Sequence, residues 1–324
     1  MSASDADSSS IRTVGLAGLG TLGRGIAACF LGYGFKLIVL EPNAAARAKA
    51  RAYIQEALQE LVERAGFPNE LPQEWTKRYI EADSPAAFAP CDFVAESIIE
   101  DERAKTELFT AIESHVRADV PIATNTSAIP ISLLQKGRAH PERFVGMHWL
   151  QPAYVTRFLE VIRGEQTNDR TFRLTEALGW RLGKEPALVH KDAPGFVANR
   201  LGYALMREAM HLIEEGVADP QTIERCMRHT WGSYLLVAGP LRNMDLWGLP
   251  LYAQVMERLF PELSNAQGPP PILRRMIEAG NTGAPAGKGW FEYAPGEAEQ
   301  WERRIRELQW DMRALAEKYK ERKP

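Results

Sequence analysis

The sequence predicts an α/β domain built on a parallel sheet, followed by an all-helical C-terminal domain. Three observations lead there. Short apolar runs alternate with amphipathic helical patterns through the first two-thirds of the chain, the sign of strands joined by crossover helices. A glycine-rich turn, Gly18-Leu19-Gly20-Thr21-Leu22-Gly23, follows the first run. Strand signals stop at Pro194 and only helical patterns follow.

Taken in order, Thr13 to Gly18 reads as a buried strand and Thr21 to Tyr33 as a helix with small residues on one side. Lys36 to Glu41 is a second strand, and Ala44 to Ala65 a long helix closed by Gly66. Asp92 to Ser97 and Pro121 to Thr124 are short strands separated by a helix near Glu102 to Val116. Arg143 to His148, Phe158 to Ile162 and Pro186 to His190 supply three more strands. Beyond them, Phe196 to Glu215 is a helical pattern, and Asp219-Pro220 fits a capped helix start with proline in the first turn. Further helices are expected near Leu249 to Phe260, Pro271 to Ala279 and Glu297 to Lys320. The division is therefore a disordered tail over 1–10, a nucleotide-binding domain over 11–192, and a helical substrate and dimerisation domain over 193–324.

Composition narrows the function. The chain has 324 residues, 45% hydrophobic and 25% charged, with a formal net charge of -3. That is the profile of a globular protein of two ordinary domains. Its charge offers no attraction for nucleic acid or an anionic membrane. No apolar run approaches the roughly 20 residues of a membrane span. Cys29, Cys91 and Cys226 are scattered and include no CxxC pair. Neither a disulfide framework nor a metal site is expected, and a reducing cytoplasm is the natural setting.

The glycine turn has the context that dinucleotide binding requires. Gly18 allows the tight turn, Gly20 lets the backbone approach a pyrophosphate, and Gly23 allows close helix–strand packing. Thr21 and Leu22 complete a loop that opens a helix, whose N-terminus favours phosphate. Glu41 ends the second strand, 18 residues after Gly23. A carboxylate there accepts hydrogen bonds from the adenosine ribose and repels the extra phosphate of NADP. A Rossmann-type domain binding NAD follows, although Arg47 is a cation close to that carboxylate.

The stretch from Gly146 to Glu160 carries the chemistry. His148 ends one apolar run and Glu160 lies inside the next. Histidine is suited to proton transfer near neutral pH. A carboxylate on its other ring nitrogen fixes the tautomer and stabilises the cation that forms. The competing reading is a strand-end histidine and a solvated glutamate.

With the glycine loop, Asn125-Thr126-Ser127, His148, Glu160 and the segment Asp192 to Arg200, the chain resembles the 3-hydroxyacyl-CoA dehydrogenase family from about Thr13 to Tyr293. The resemblance implies a Rossmann domain followed by a helical domain that often dimerises. It implies His148 as the catalytic base and Glu160 as its orienter. Ser127 then hydrogen-bonds the substrate oxygen and Asn199 helps polarise the carbonyl. Glu100 and Lys105 fall near the cofactor's ribose and phosphates, with Asn125 in the same cofactor-binding set. No metal is required.

Substrate is a separate question. Tyr53 to Trp75 holds Glu56, Glu60, Glu63, Glu70 and Glu74 but only Arg64 as a base. Such a surface repels polyanionic CoA. Gln151 stands where the family commonly has asparagine. A free hydroxy acid is the main reading and a CoA thioester the alternative. Arg157 suits a substrate carboxylate through bidentate pairing; an ion pair at the sheet edge is its competing reading. Two other classes remain open: a β-hydroxyacid dehydrogenase relying on Lys191 and Asn199, and a non-catalytic NAD-binding protein.

Overall fold

The computed structural model describes residues 8–319 apart from Leu236. Of the expected disordered tail, residues 1–7 lie outside this range. Ser8 is held: its carbonyl and that of Ile11 accept from Arg181 Nη1 at 2.6 and 2.8 Å. The chain divides into two compact units, Met1–Asn199 and Arg200–Pro324.

The first unit is built on one eight-stranded sheet. Its strands are β1 (Thr13–Ala17), β2 (Lys36–Leu40), β3 (Tyr79–Ala82), β4 (Phe93–Glu96), β5 (Ile122–Thr124), β6 (Phe144–Trp149), β7 (Phe158–Ile162) and β8 (Glu185–Val189). They lie in the order β3-β2-β1-β4-β5-β6-β7-β8. Helices α1 (Gly23–Gly32), α2 (Ala44–Ala65), α3 (Glu102–Glu113) and α4 (Asp169–Arg181) belong to the same unit. Strands covered on both faces read as continuous apolar runs. Every residue of β4 and β6 is buried accordingly, His148 included.

In the first unit, strand β3 and helix α4 escaped sequence analysis, as did Pro240–Trp247 in the second. Strand β3, Tyr-Ile-Glu-Ala, is an edge strand with two exposed central residues, so it shows no apolar run. Helix α4 buries Thr171, Thr175 and Gly179 beside Phe172, Leu174 and Leu178. Three of its seven buried residues are therefore not hydrophobic, which hides the helical period.

The sheet also departs from an all-parallel one. Strands β1 to β6 are parallel to their neighbours, but β7 pairs antiparallel with β6, and β8 follows β7. The reason is the connection. A parallel return needs a crossover of a dozen or more residues, whereas residues 150–157 form only a tight loop. In that loop Val155 and Thr156 donate their N–H groups to Pro152, and Thr156 Oγ1 bonds the Leu150 carbonyl at 3.0 Å.

Lys184, 1% exposed, anchors the loop from beneath. Its ammonium donates to the carbonyls of Ala153 and Thr156 and lies 5.2 Å from the centre of the Trp149 ring. A charge this buried is tolerated only when fully engaged.

The second unit is helical. It contains most of α5 (Ala198–Glu214), then α6 (Pro220–His229), α7 (Pro240–Trp247), α8 (Leu249–Leu259), α9 (Pro271–Glu278) and α10 (Glu297–Lys318). Asp219 caps α6 through the Thr222 N–H at 2.7 Å, as its sequence predicts. These helices leave large apolar side chains exposed, among them Tyr203, Leu241, Leu246 and Trp247.

Replacing Lys184 with methionine removes the donor from two carbonyls. Unsatisfied buried groups carry about 1–3 kcal/mol each. Lys184→Met should therefore lower stability by about 2–4 kcal/mol, read as a lower midpoint in urea unfolding.

Candidate active site

The site is assembled where β1, β4, β5 and β6 end. Gly18, after β1, has φ of 94°, a conformation open to glycine. A Cβ on Gly18 would lie 2.4 Å from the Ser97 carbonyl oxygen, and one on Gly23 2.2 Å from that of Gly18. A Cβ on Gly20 would meet nothing within 4 Å. The loop thus packs tightly against Ser97 at one end and against its own Gly18 at the other, and leaves its middle backbone open to a ligand. Thr21 is exposed and Leu22 half-buried at the start of α1, which has no capping side chain. Glu41 faces the same loop, its Oε2 accepting from Leu19 N at 3.1 Å and its Oε1 from Asn43 N at 3.0 Å. An open glycine backbone, a helix N-terminus and a fixed carboxylate are the features that hold a dinucleotide.

Strands β4 and β5 contribute a chain of polar contacts. Buried Glu96 accepts from Lys105 Nζ, Ile98 N and Thr124 Oγ1, each at 2.6 Å. Glu100 Oε1 accepts from Thr126 Oγ1 at 2.6 Å and from the Ser127 and Ala128 N–H groups at 2.8 and 3.0 Å. Burial pushes the Glu100 pKa up, but these bonds and the nearby Lys105 ammonium outweigh it and hold the carboxyl below its usual range. Asn125 donates to Ser97 Oγ at 3.1 Å and accepts from Trp149 N at 3.0 Å, bridging three strand ends.

The register of β6 on β7 sets His148 directly opposite Glu160. Nδ1 of His148 lies 2.8 Å from Glu160 Oε2, and Nε2 lies 3.2 Å from Ser127 Oγ. The other oxygen of Glu160 accepts from Val197 N and Ala198 N at 3.0 and 2.9 Å. Burial raises the Glu160 pKa, yet the bonds from His148 and the two backbone N–H groups prevail, and the net shift is downward. Asn199 follows at once in α5 and donates to the Ser127 carbonyl at 3.0 Å.

This geometry coincides with what comparison finds. Residues 13–193 match the NAD-binding domain of 3-hydroxyacyl-CoA dehydrogenase, and residues 195–293 match its C-terminal domain. The chain belongs to the 3-hydroxyacyl-CoA dehydrogenase family. It is an NAD-dependent dehydrogenase. Within the family it is 34% identical to the 5-formyl-3-hydroxy-2-methylpyridine 4-carboxylate 5-dehydrogenase of Mesorhizobium japonicum, over 88% of this chain and 92% of that one. It is also 34% identical to a probable 3-hydroxybutyryl-CoA dehydrogenase of Deinococcus radiodurans, over 86% of this chain and 99% of that one. Among solved structures, a 5-formyl-3-hydroxy-2-methylpyridine 4-carboxylic acid 5-dehydrogenase, described as an NAD+-dependent dismutase, superposes with a TM-score of 0.87 at 32% identity. That match covers 97% of this chain and 100% of the other. The (S)-3-hydroxybutyryl-CoA dehydrogenase of Ralstonia eutropha gives 0.73 at 33% identity, covering 88% and 100%.

Three of the residues singled out in the sequence have surroundings that bear on their reading. Lys105 is 1% exposed and is engaged by Glu96 and, at 3.5 Å, by Glu100. Its ammonium faces these two carboxylates, and it supports Glu100, which in turn holds the Ser127 loop. Arg157 pairs with Glu185 at 2.6 Å, the ion pair at the sheet edge rather than a waiting cation. Gln151 is exposed in the loop after β6. Sequence analysis overlooked Glu96 and Lys184, and it quoted Thr126 in a motif without giving it a role. A buried acid or lysine within an apolar run was the available signal for Glu96 alone.

Two outcomes follow. Gly23→Ala, whose methyl must displace the Gly18 carbonyl, should weaken NAD binding about tenfold or more, roughly 1.4 kcal/mol, in a fluorescence titration. Glu160, with its folded pKa depressed, adds stability that is complete above its ordinary 4.5 and lost as pH falls through the folded value. The urea midpoints of wild type and Glu160→Gln should therefore converge as pH drops below that range.

Proposed function

We propose that the protein oxidises the secondary alcohol of a small hydroxy carboxylate to the carbonyl, with His148 as general base and Glu160 as its orienter. The observation that carries this reading is the two-sided engagement of His148 by Glu160 and Ser127. Glu160 accepts the Nδ1 proton, which leaves Nε2 as the proton acceptor; this tautomer is assigned from the hydrogen bond. Nε2 then takes the hydroxyl proton of the substrate, and the adjacent carboxylate stabilises the imidazolium. Ser127 donates to the substrate oxygen as it becomes a carbonyl. Asn199, bonded to the Ser127 carbonyl, sets where that hydroxyl points. Gly18, Gly20, Thr21, Leu22, Gly23 and Glu41 hold the cofactor, and NAD supplies the acceptor for the hydride. Glu100 and Asn125 shape the strand ends beside it.

Two observations support a free acid over a CoA thioester. The fold agreement is higher with the pyridine-carboxylate enzyme, at 0.87, than with the hydroxybutyryl-CoA enzyme, at 0.73. Helix α2 and its continuation carry the acidic run, with Glu56 and Glu70 exposed. Glu60, in addition, is committed to the Tyr154 hydroxyl at 2.7 Å, tying α2 to the loop after His148. Arg157, paired with Glu185, is left out of the substrate site. The exposed apolar faces of the helical unit support a homodimer formed through it, and the scattered cysteines, with no CxxC pair, fit the cytoplasmic setting proposed here.

His148→Gln should leave NAD affinity intact and slow hydride transfer by about 10²–10⁴; a wild-type rate would end the assignment. Purified protein should reduce NAD with free hydroxy acids faster than with 3-hydroxybutyryl-CoA, followed optically. Rapid turnover of the thioester alone would reverse the substrate reading.

A further inference from the structure

The corner beside Glu41 contains a charge arrangement that dinucleotide binding does not require. Arg47, one turn into α2, donates from Nη1 to the backbone carbonyl of Glu41 itself, at 2.7 Å. Its guanidinium is therefore anchored to the very residue whose side chain faces the glycine loop. Arg51 lies one helical turn further on, on the same face. In dinucleotide folds an arginine at this corner is what accommodates a 2′-phosphate. By position alone, this corner carries the equipment for NADP.

Glu81 cancels it. Strand β3 pairs with β2 so that Glu81 stands opposite Val39, one residue before the end of β2. Its Oε2 lies 3.5 Å from Arg47 Nε and its Oε1 2.5 Å from Arg51 Nη1, while the Tyr79 hydroxyl donates to Oε1 at 3.3 Å. Asp83 adds a longer contact to Arg47 Nη1 at 4.0 Å. The Glu81 and Arg47 side chains are 29% and 21% exposed and those of Arg51 and Asp83 47% and 100%, so the cluster lies at the surface and is open to salt screening. Two guanidiniums thus meet two carboxylates, those of Glu81 and Asp83, while Glu41 engages Arg47 only through its backbone carbonyl.

We infer that Glu81 is a second determinant of cofactor choice, working alongside Glu41. Glu41 repels the 2′-phosphate directly, and Glu81 occupies the arginines that would attract it. Glu81 touches no reacting atom; it acts by orienting and neutralising Arg47 and Arg51.

The test uses the full-length protein and measures NAD and NADP affinity by fluorescence titration, without turnover. Glu41→Ser removes the direct repulsion and sets the baseline. Glu41→Ser/Glu81→Gln should bind NADP about tenfold more tightly than that baseline, with NAD affinity equal in the two proteins. The gain should shrink as ionic strength rises and vanish when Arg47→Ala is added. Glu81→Asp, which withdraws the carboxylate by one methylene, should give an intermediate gain and serves if the glutamine variant melts early. A double variant no better than Glu41→Ser for NADP would overturn the inference. So would a gain that survives removal of both Arg47 and Arg51.

Discussion

The bond between His148 Nδ1 and Glu160 Oε2, 2.8 Å long and almost wholly buried, is the constraint on which the rest of the site depends. It exists because β7 turns back against β6. In that antiparallel register the two residues are direct partners, so their side chains share one face of the sheet. A parallel β7 would have left them on separate connections. The tight loop that forces the reversal is held by Lys184, so a buried ammonium beneath the sheet underlies the position of the base.

Glu160 also works in the opposite direction along the chain. Its second oxygen receives the N–H groups of Val197 and Ala198 at the start of α5. The carboxylate that orients the base therefore also places Asn199, and Asn199 reaches back to the Ser127 carbonyl. From the other side Glu100 grips the Ser127 and Ala128 N–H groups, and Lys105 and Glu96 back it from the core. The serine opposite His148 is thus fixed through its backbone by two independent carboxylate systems. Such buried, satisfied networks hold geometry more firmly than loop packing alone.

Much of this was legible in the order of residues. The glycine turn, Glu41 and the alternation of apolar runs with helices specify a dinucleotide fold locally, since turn, strand and helix signals are short-range. His148 and Glu160 were identifiable as residue types, flanking one loop. Strand β3 was not legible, because an edge strand with exposed central residues has no apolar period. Helix α4 was hidden by the threonines and glycine on its buried stripe. Lys105 was read as lying near the cofactor, and Arg157 either as a partner for a substrate carboxylate or as half of an ion pair at the sheet edge. A sequence shows a charge but not its partner, and both partners, Glu96 and Glu185, come from other elements of the fold.

The sequence by itself determined the fold class, the nucleotide loop and the chemical type of the base, because each rests on residues within a few positions of one another. Tertiary structure decided which charges are available and which are spent. It turned β7 against the parallel sheet, enclosed Lys105, gave Arg157 to Glu185 and gave Arg47 and Arg51 to Glu81. The physical reason is that an ion's role depends on its nearest counter-charge and its access to water. Both are set by strand pairing between segments far apart in the chain.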